Sequence, residues 1–249
     1  MNLKVKVIGV GGIGSCLLPT LCRVLNYGSS MYSFDEVDIH LIDGDDYEER
    51  NRDRQAFRDR GNKAEITKKM LEEDFPNLFL RTHPCYVEES NLGMLLSDGD
   101  VVFLCVDNHV TRRMVSRYCE DELQNVVLIS GGNDLEDGNV QVFIRKDGWN
   151  HTAPLDQNHP EIKEPTDKHP SEEEEEREGC LEQAVAAPQL LIANNTAATL
   201  MLNAFHGLMI NGADSMGVFE KAHPFRYEEV FFDVPSNKVR AKQFSKEGA

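Results

Sequence analysis

Along this chain, apolar positions fall into short alternating or continuous runs, separated by stretches with helical spacing. Residues 3–10, LKVKVIGV, alternate and then become wholly apolar, as in a strand entering a buried sheet. Residues 12–28, GIGSCLLPTLCRVLNYG, have helical spacing and stop on glycine, and residues 36–43, EVDIHLID, read as a strand ending in an acid. Strand, crossover helix and strand form the unit of a parallel sheet. The alternation continues with a helix over 61–75, a strand over 78–84, a short helix over 91–99, a buried strand over 100–107, a helix over 108–123 and a strand over 125–132. This pattern predicts an α/β protein with a largely parallel sheet covered by helices on both faces.

A further strand is expected in GNVQVFIRKDG, residues 138–148, after which the pattern breaks. Residues 149–179 hold four prolines, few apolar residues and a glutamate run, a composition that buries too little surface to offset the entropy of ordering. They are expected to form a flexible acidic loop. A buried helix is predicted within 187–209, and YEEVFFDV and NKVRAKQF predict a C-terminal β-hairpin turning at Pro235-Ser236. No internal repeat is visible, and the 249 residues suit one domain with the 149–179 crossover loop inside it.

Charge narrows the functions. With 43 acidic and 26 basic residues the net charge is −17, which disfavours a generic binder of nucleic acid or of anionic membranes, since both require basic surface. No stretch approaches a membrane span, and the N-terminus runs directly into a strand pattern, so a cytoplasmic location is expected. The six cysteines, Cys16, Cys22, Cys85, Cys105, Cys119 and Cys180, are dispersed with no C-x-x-C pair and read as reduced thiols.

The first strand leads into Gly9-Val10-Gly11-Gly12-Ile13-Gly14, a G-x-G-x-x-G turn between strand and helix. Backbone N–H groups of Gly9, Gly11, Gly12, Ile13 and Gly14, at a helix N-terminus with few side chains in the way, suit a nucleotide phosphate. The glycines alone do not choose the nucleotide. A dinucleotide-dependent oxidoreductase uses the same turn with an acid, here Asp43, on the ribose.

Residues 43–57, DGDDYEERNRDRQAF, add a more specific pattern: Asp43 and Asp45, then Asn51, Arg54 and Gln55. Lys63 follows in GNKAE, and Asp107 and Asn108 in CVDNHVTRR. The set resembles the ThiF/MoeB/HesA family, bacterial relatives of the ubiquitin-activating enzymes, with the matches spread over roughly residues 5 to 145. The resemblance implies a Rossmann-like fold and attack by a protein C-terminal carboxylate on the α-phosphorus of ATP, releasing pyrophosphate. By that resemblance Arg54 and Lys63 would neutralise phosphate oxygens, Asp107 would hold Mg²⁺, Asp43 or Asp45 would accept from ribose hydroxyls, and Asn51 and Gln55 would donate to phosphate. Asn108 belongs to the same nucleotide-binding set. A helix N-cap is the structural alternative for Asp107.

The implied partner is a small ubiquitin-like or sulfur-carrier protein, and the implied assembly a homodimer. Cys180, eight residues before Pro188, matches a cysteine of thiamine-pathway members and is a candidate acceptor for a covalent step. Departures matter as well. Without C-x-x-C pairs no zinc site is expected, the N-terminal arginine-bearing helix of many members is not matched, and the spacing from Gln55 to Lys63 is shorter than usual. Two other classes fit parts of the pattern: a non-catalytic dimerising scaffold of the same family, and the oxidoreductase, which gives no reason for N-x-x-R-Q.

Overall fold

The computed structural model describes residues 2–27, 34–48, 57–172, 191–211 and 227–243. A nine-stranded sheet runs through these residues. Its strands are β1 (Asn2–Ile8), β2 (Glu36–Ile42), β5 (Phe79–His83), β6 (Val101–Leu104), β7 (Val126–Asn133), β8 (Asp137–Lys146), β9 (Trp149–Asn150), β10 (Tyr227–Asp233) and β11 (Lys238–Gln243). A separate two-residue pair, β3 (Asp46–Tyr47) and β4 (Gly61–Asn62), joins the second strand to the next helix. The helices are α1 (Gly12–Tyr27), α2 (Lys63–Asp74), α3 (Leu92–Leu95), α4 (His109–Asp121), α5 (Pro160–Lys163) and α6 (Leu191–Asn211).

Strand order is β11-β10-β8-β7-β6-β1-β2-β5, with β9 on β8. From β5 to β7 every pairing is parallel; β8, β10 and β11 extend the sheet antiparallel. The predicted hairpin is β10–β11, closed where Asp233 Oδ1 accepts the Ser236 N–H at 2.8 Å.

The central strands read as continuous apolar runs because both of their faces are covered. Leu3, Val5 and Val7 of β1 and Val101 and Phe103 of β6 face a core shared with α1, α2 and α6. Ile8, Val102 and Leu104 face the second core, with α3, α4 and Ile162 of α5. Helix α1 buries Leu17, Leu18, Leu21 and Leu25 along one stripe, and each leucine so removed from water stabilises the fold by about 1.5–3 kcal/mol. Lys6 is the charged exception in β1: it is buried 3.8 Å from Asp100, and burial holds its pKa below the ordinary lysine value.

The segment from 149 onwards differs from its expected form. Over 149–172 it lies on the sheet and on α4, burying Leu155, Ile162, Thr152 and His169. Two apolar anchors and a set of side chain to backbone hydrogen bonds do what average composition does not reveal. The Thr152 hydroxyl accepts the Ile144 N–H, Gln141 donates to the Leu155 carbonyl, Leu155 N–H donates to Ser116 Oγ, and His109 N–H donates to Asp167 at 2.5 Å. Residues 173–179 of that predicted loop lie outside the described residues, as do Asn51, Arg54, Gln55 and Cys180.

Candidate functional site

The chain leaves β1 toward β2 and β5, then returns to β6 on the other side of β1. Above the C-terminal ends of these strands, where the direction of winding reverses, a parallel sheet opens a crevice. Here it is a cavity of about 1160 Å³. Gly9, Gly11, Gly12 and Ile13 form its floor at the N-terminus of α1, with Asp43, Asp45, Lys63, Asp107 and Asn108 around it. Gly14 sits one step lower and packs onto the turn itself: a Cβ there would stand 2.1 Å from the Gly9 carbonyl oxygen, so no larger residue fits.

Asp43 braces this floor. Its Oδ2 accepts the Val10 N–H at 2.6 Å and its Oδ1 the Asp45 N–H at 2.9 Å. Burial pushes its pKa up to about 6, against the opposing pull of Lys63. Asp45 faces the opening and pairs with Lys63 Nζ at 2.6 Å. Burial acts to lower the Lys63 pKa, but the charges of Asp43 and Asp45 outweigh it and hold it above the ordinary lysine value.

Lys63 is fixed from behind by Asn62. The Asn62 side-chain oxygen caps α2 by accepting from Ala64 and Glu65 N–H, and its amide donates to the carbonyls of Asp43 and Asp45 at 2.9 and 3.2 Å. One residue therefore starts the lysine-bearing helix and clamps the acidic loop. Its signal in the sequence was ordinary, an asparagine just before a helical stretch.

On the β6 side the helix cap is Asn108, whose Oδ1 accepts the Thr111 N–H at 2.8 Å. The capping alternative for Asp107 is thereby corrected: its neighbour does that work, and the exposed Asp107 carboxylate borders the cavity without being tied to the helix end. Behind this loop Arg112 is only 4% exposed and donates to Val106 O at 2.5 Å, Gly131 O at 2.7 Å and Ser130 Oγ at 2.8 Å. Burial lowers its pKa, while the charge of Asp107 works in the opposite direction. A guanidinium in that position ties the β6–α4 loop to β7 and adds positive charge below the cavity. No feature of the sequence singles Arg112 out from the other arginines of that helix.

The opposite wall comes from the antiparallel part of the sheet. His159 stands between Glu229 Oε1 at 2.6 Å and Glu161 Oε1 at 2.7 Å, and Asn139 also donates to Glu229 at 2.7 Å. These hydrogen bonds to two carboxylates raise the His159 pKa against the effect of burial. An imidazolium donating from both ring nitrogens suits this geometry.

A strand–glycine turn–helix unit at the switch point of a mostly parallel sheet defines a Rossmann-like α/β protein. The chain belongs to the ThiF family, which it matches over residues 1–243. Among curated relatives it is 29% identical over 132 residues to the adenylyltransferase and sulfurtransferase UBA4 of Candida glabrata, a match covering 51% of this chain and 28% of that protein. The corresponding protein of Meyerozyma guilliermondii is 26% identical over 149 residues, covering 58% of this chain and 32% of that one. The chain thus aligns with about a third or less of these relatives. The fold is similar to the crystal structure of E. coli MccB with ATP, at a TM-score of 0.66 and 17% identity over 97% of this chain and 63% of that chain. It is also similar to that of PaaA, at a TM-score of 0.64 and 16% identity over 97% of this chain and 64% of that chain.

Proposed function

We propose that this chain is an adenylyltransferase that uses ATP to activate the C-terminal carboxylate of a small ubiquitin-like protein, sulfur-carrier protein or peptide. The observation that carries the reading is the convergence of the α1 N-terminus, Lys63 and the exposed Asp107 carboxylate on one cavity of a ThiF-family fold. The names of its relatives agree: UBA4 is an adenylyltransferase, and MccB has been crystallised with ATP and with the peptide MccA.

In the proposed reaction a carboxylate oxygen of the acceptor attacks the α-phosphorus. The new bond joins acyl oxygen to phosphorus, the bond from that phosphorus to the bridging oxygen breaks, and pyrophosphate leaves. Carboxylate and triphosphate repel each other, so the site must supply positive charge. The N–H groups of the glycine turn supply part of it at the α1 N-terminus. Lys63 supplies a full charge by moving from Asp45 to a phosphate oxygen; Arg54, with Asn51 and Gln55 as donors, is assigned the same task. Asp45, more open than the braced Asp43, is the better acceptor for ribose hydroxyls.

Among the described residues no group of three or more His, Cys, Asp or Glu side chains is placed to hold a metal ion. A single carboxylate would be enough to hold Mg²⁺ that arrives with ATP, since that ion is commonly bound by one or two carboxylates together with phosphate oxygens and water. Asp107 is the residue assigned to it, and the ion would neutralise charge on the leaving pyrophosphate.

Two finer parts of the reading are a homodimeric assembly and a covalent step at Cys180. In that step the thiolate attacks the acyl carbon, a thioester forms and AMP leaves. Cys180→Ala is expected to keep pyrophosphate exchange but lose the carrier adduct in intact mass spectra; an unchanged adduct removes Cys180 as nucleophile. The primary test is binding of ATP against NADH by calorimetry, followed by exchange of labelled pyrophosphate into ATP with carriers ending in Gly-Gly. ATP binding with carrier-dependent exchange is the expected result. NADH binding in its place favours the oxidoreductase, and ATP binding without exchange for any carrier or peptide favours the scaffold.

A further inference from the structure

A row of four side chains that line the cavity runs from Lys63 to the buried His169. Lys63 Nζ lies 2.6 Å from Asp45 Oδ2, and the other carboxylate oxygen, Oδ1, accepts the Tyr86 hydroxyl at 2.6 Å. The Tyr86 ring lies flat against Gly44, where a Cβ would fall 2.6 Å from two ring carbons, so glycine at 44 is what lets the phenol reach Asp45. The ring also meets His169 edge to face, with centroids 6.3 Å apart and planes at 79°. His169 in turn is fixed on both nitrogens: Nε2 donates to the Val87 carbonyl at 2.8 Å, and Nδ1 accepts the Ser171 N–H at 3.3 Å. Tyr86 is itself anchored at its carbonyl, which accepts from the Asn91 amide at 2.8 Å.

We infer that Tyr86 is a positioning residue that sets how readily Lys63 is released to a nucleotide phosphate and reports that release to the segment 164–172 through His169. The inference rests on the ATP reading above. Asp45 holds both partners, so what one loses the other feels. While Lys63 is paired, the carboxylate charge is shared between an ammonium and a phenol. Once Lys63 turns to phosphate, the phenol stays on that carboxylate beside the ribose hydroxyls assigned to it, and with the ammonium gone its charge-assisted hydrogen bond shortens and strengthens. The Tyr86 ring is confined between Gly44 and His169, so a change at its hydroxyl is passed to the His169 contact. Linkage makes the effect reciprocal: whatever displaces 164–172 alters the hold of Asp45 on Lys63 and hence nucleotide affinity.

Tyr86→Phe keeps the ring between Gly44 and His169 and removes only the hydroxyl. Asp45 then loses a donor, grips Lys63 more tightly and competes better with phosphate. The expected result is an ATP dissociation constant about 5-fold higher, with a thermal midpoint close to wild type. The test joins calorimetry of ATP with Mg²⁺ to hydrogen exchange of the peptide covering 164–172, on the full chain with and without saturating ATP. In wild type, ATP is expected to change exchange in that peptide several-fold; in Tyr86→Phe the change disappears although ATP still binds. His169→Gln breaks the row at its other end, and is expected to abolish the exchange response with a smaller change in ATP affinity than Tyr86→Phe. If wild type binds ATP with no response in 164–172, or if both variants keep the full response, the coupling is wrong while the nucleotide reading stands. If wild type binds no ATP at all, the nucleotide reading falls and takes the coupling with it.

Discussion

On the glycine-turn side of the cavity, Asp43, Asn62 and Asn108 are held by backbone groups; on the opposite side His159, Glu229 and Asn139 are held by one another. Asp43 accepts from Val10 and Asp45 N–H, Asn62 spans two N–H groups and two carbonyls, and Asn108 caps α4. Across the cavity His159 is 70 residues from Glu229, its partner, and Asn139 is 90 residues from that same carboxylate. The first arrangement fixes a loop and directs Lys63 and Asp107 toward the cavity. The second joins the segment around α5 to β8 and β10. The proposed function assigns chemistry to the first wall and leaves shape to the second, so variants of each should fail differently.

Asp107→Asn should separate the walls most sharply. It removes a charge but no helix cap, so the thermal midpoint should stay within a few degrees of wild type while carrier-dependent pyrophosphate exchange falls by about 100-fold or more. Exchange at the wild-type rate would show that the first wall does not carry the reaction.

The same contrast explains what was legible in the sequence. Gly14 must be small because the Gly9 carbonyl occupies the space of its side chain, and Asp43 must accept because two N–H groups converge on it. Constraints of that kind act through the backbone, so they recur as a motif with fixed spacing. Strands buried on both faces were equally plain, since burial leaves a continuous apolar run. His159 with Glu229, and Tyr86 with His169, are meetings of side chains from distant elements, which no local pattern encodes. Arg112 was hidden for a related reason: a buried guanidinium satisfied by three neutral oxygens has no charged partner to give it away in sequence. The segment 149–172 misled through averaging, because Leu155 and Ile162 are two apolar anchors in a polar stretch.

A smaller effect sharpens the role of Asp43. Its pKa rises from an ordinary 3.8 to about 6 in the folded chain, so between those values the folded state keeps a proton that the unfolded chain has lost. The contribution of this group to stability therefore falls as pH rises from about 4 to about 6, by about 3 kcal/mol in all. Asp43→Asn abolishes that titration and leaves one of the two N–H groups without an acceptor, at a cost of about 1–3 kcal/mol. Thermal midpoints of wild type and variant should draw closer as pH rises through this window, with the variant binding ATP more weakly throughout. Parallel curves would mean that Asp43 does not titrate as a buried acid.

The smallest effect is expected from the second wall. His159 has a raised pKa, chiefly through its hydrogen bond to Glu229, with burial opposing. Its extra stability is therefore fully present below the ordinary histidine value and is lost as pH rises through the raised one. His159→Gln keeps a hydrogen-bond donor but no charge, so it should be less stable than wild type by about 2 kcal/mol at pH 6 and should converge with it at alkaline pH. ATP affinity should not change at either pH, because nothing on this wall is assigned to the nucleotide. Midpoints measured from pH 6 to 9, with ATP calorimetry at both ends, check both halves of the expectation. A constant gap across that range would mean that His159 is neutral and packs without charge. A loss of ATP affinity in the variant would mean that the two walls are not separate, and that the nucleotide site extends across the cavity to β10.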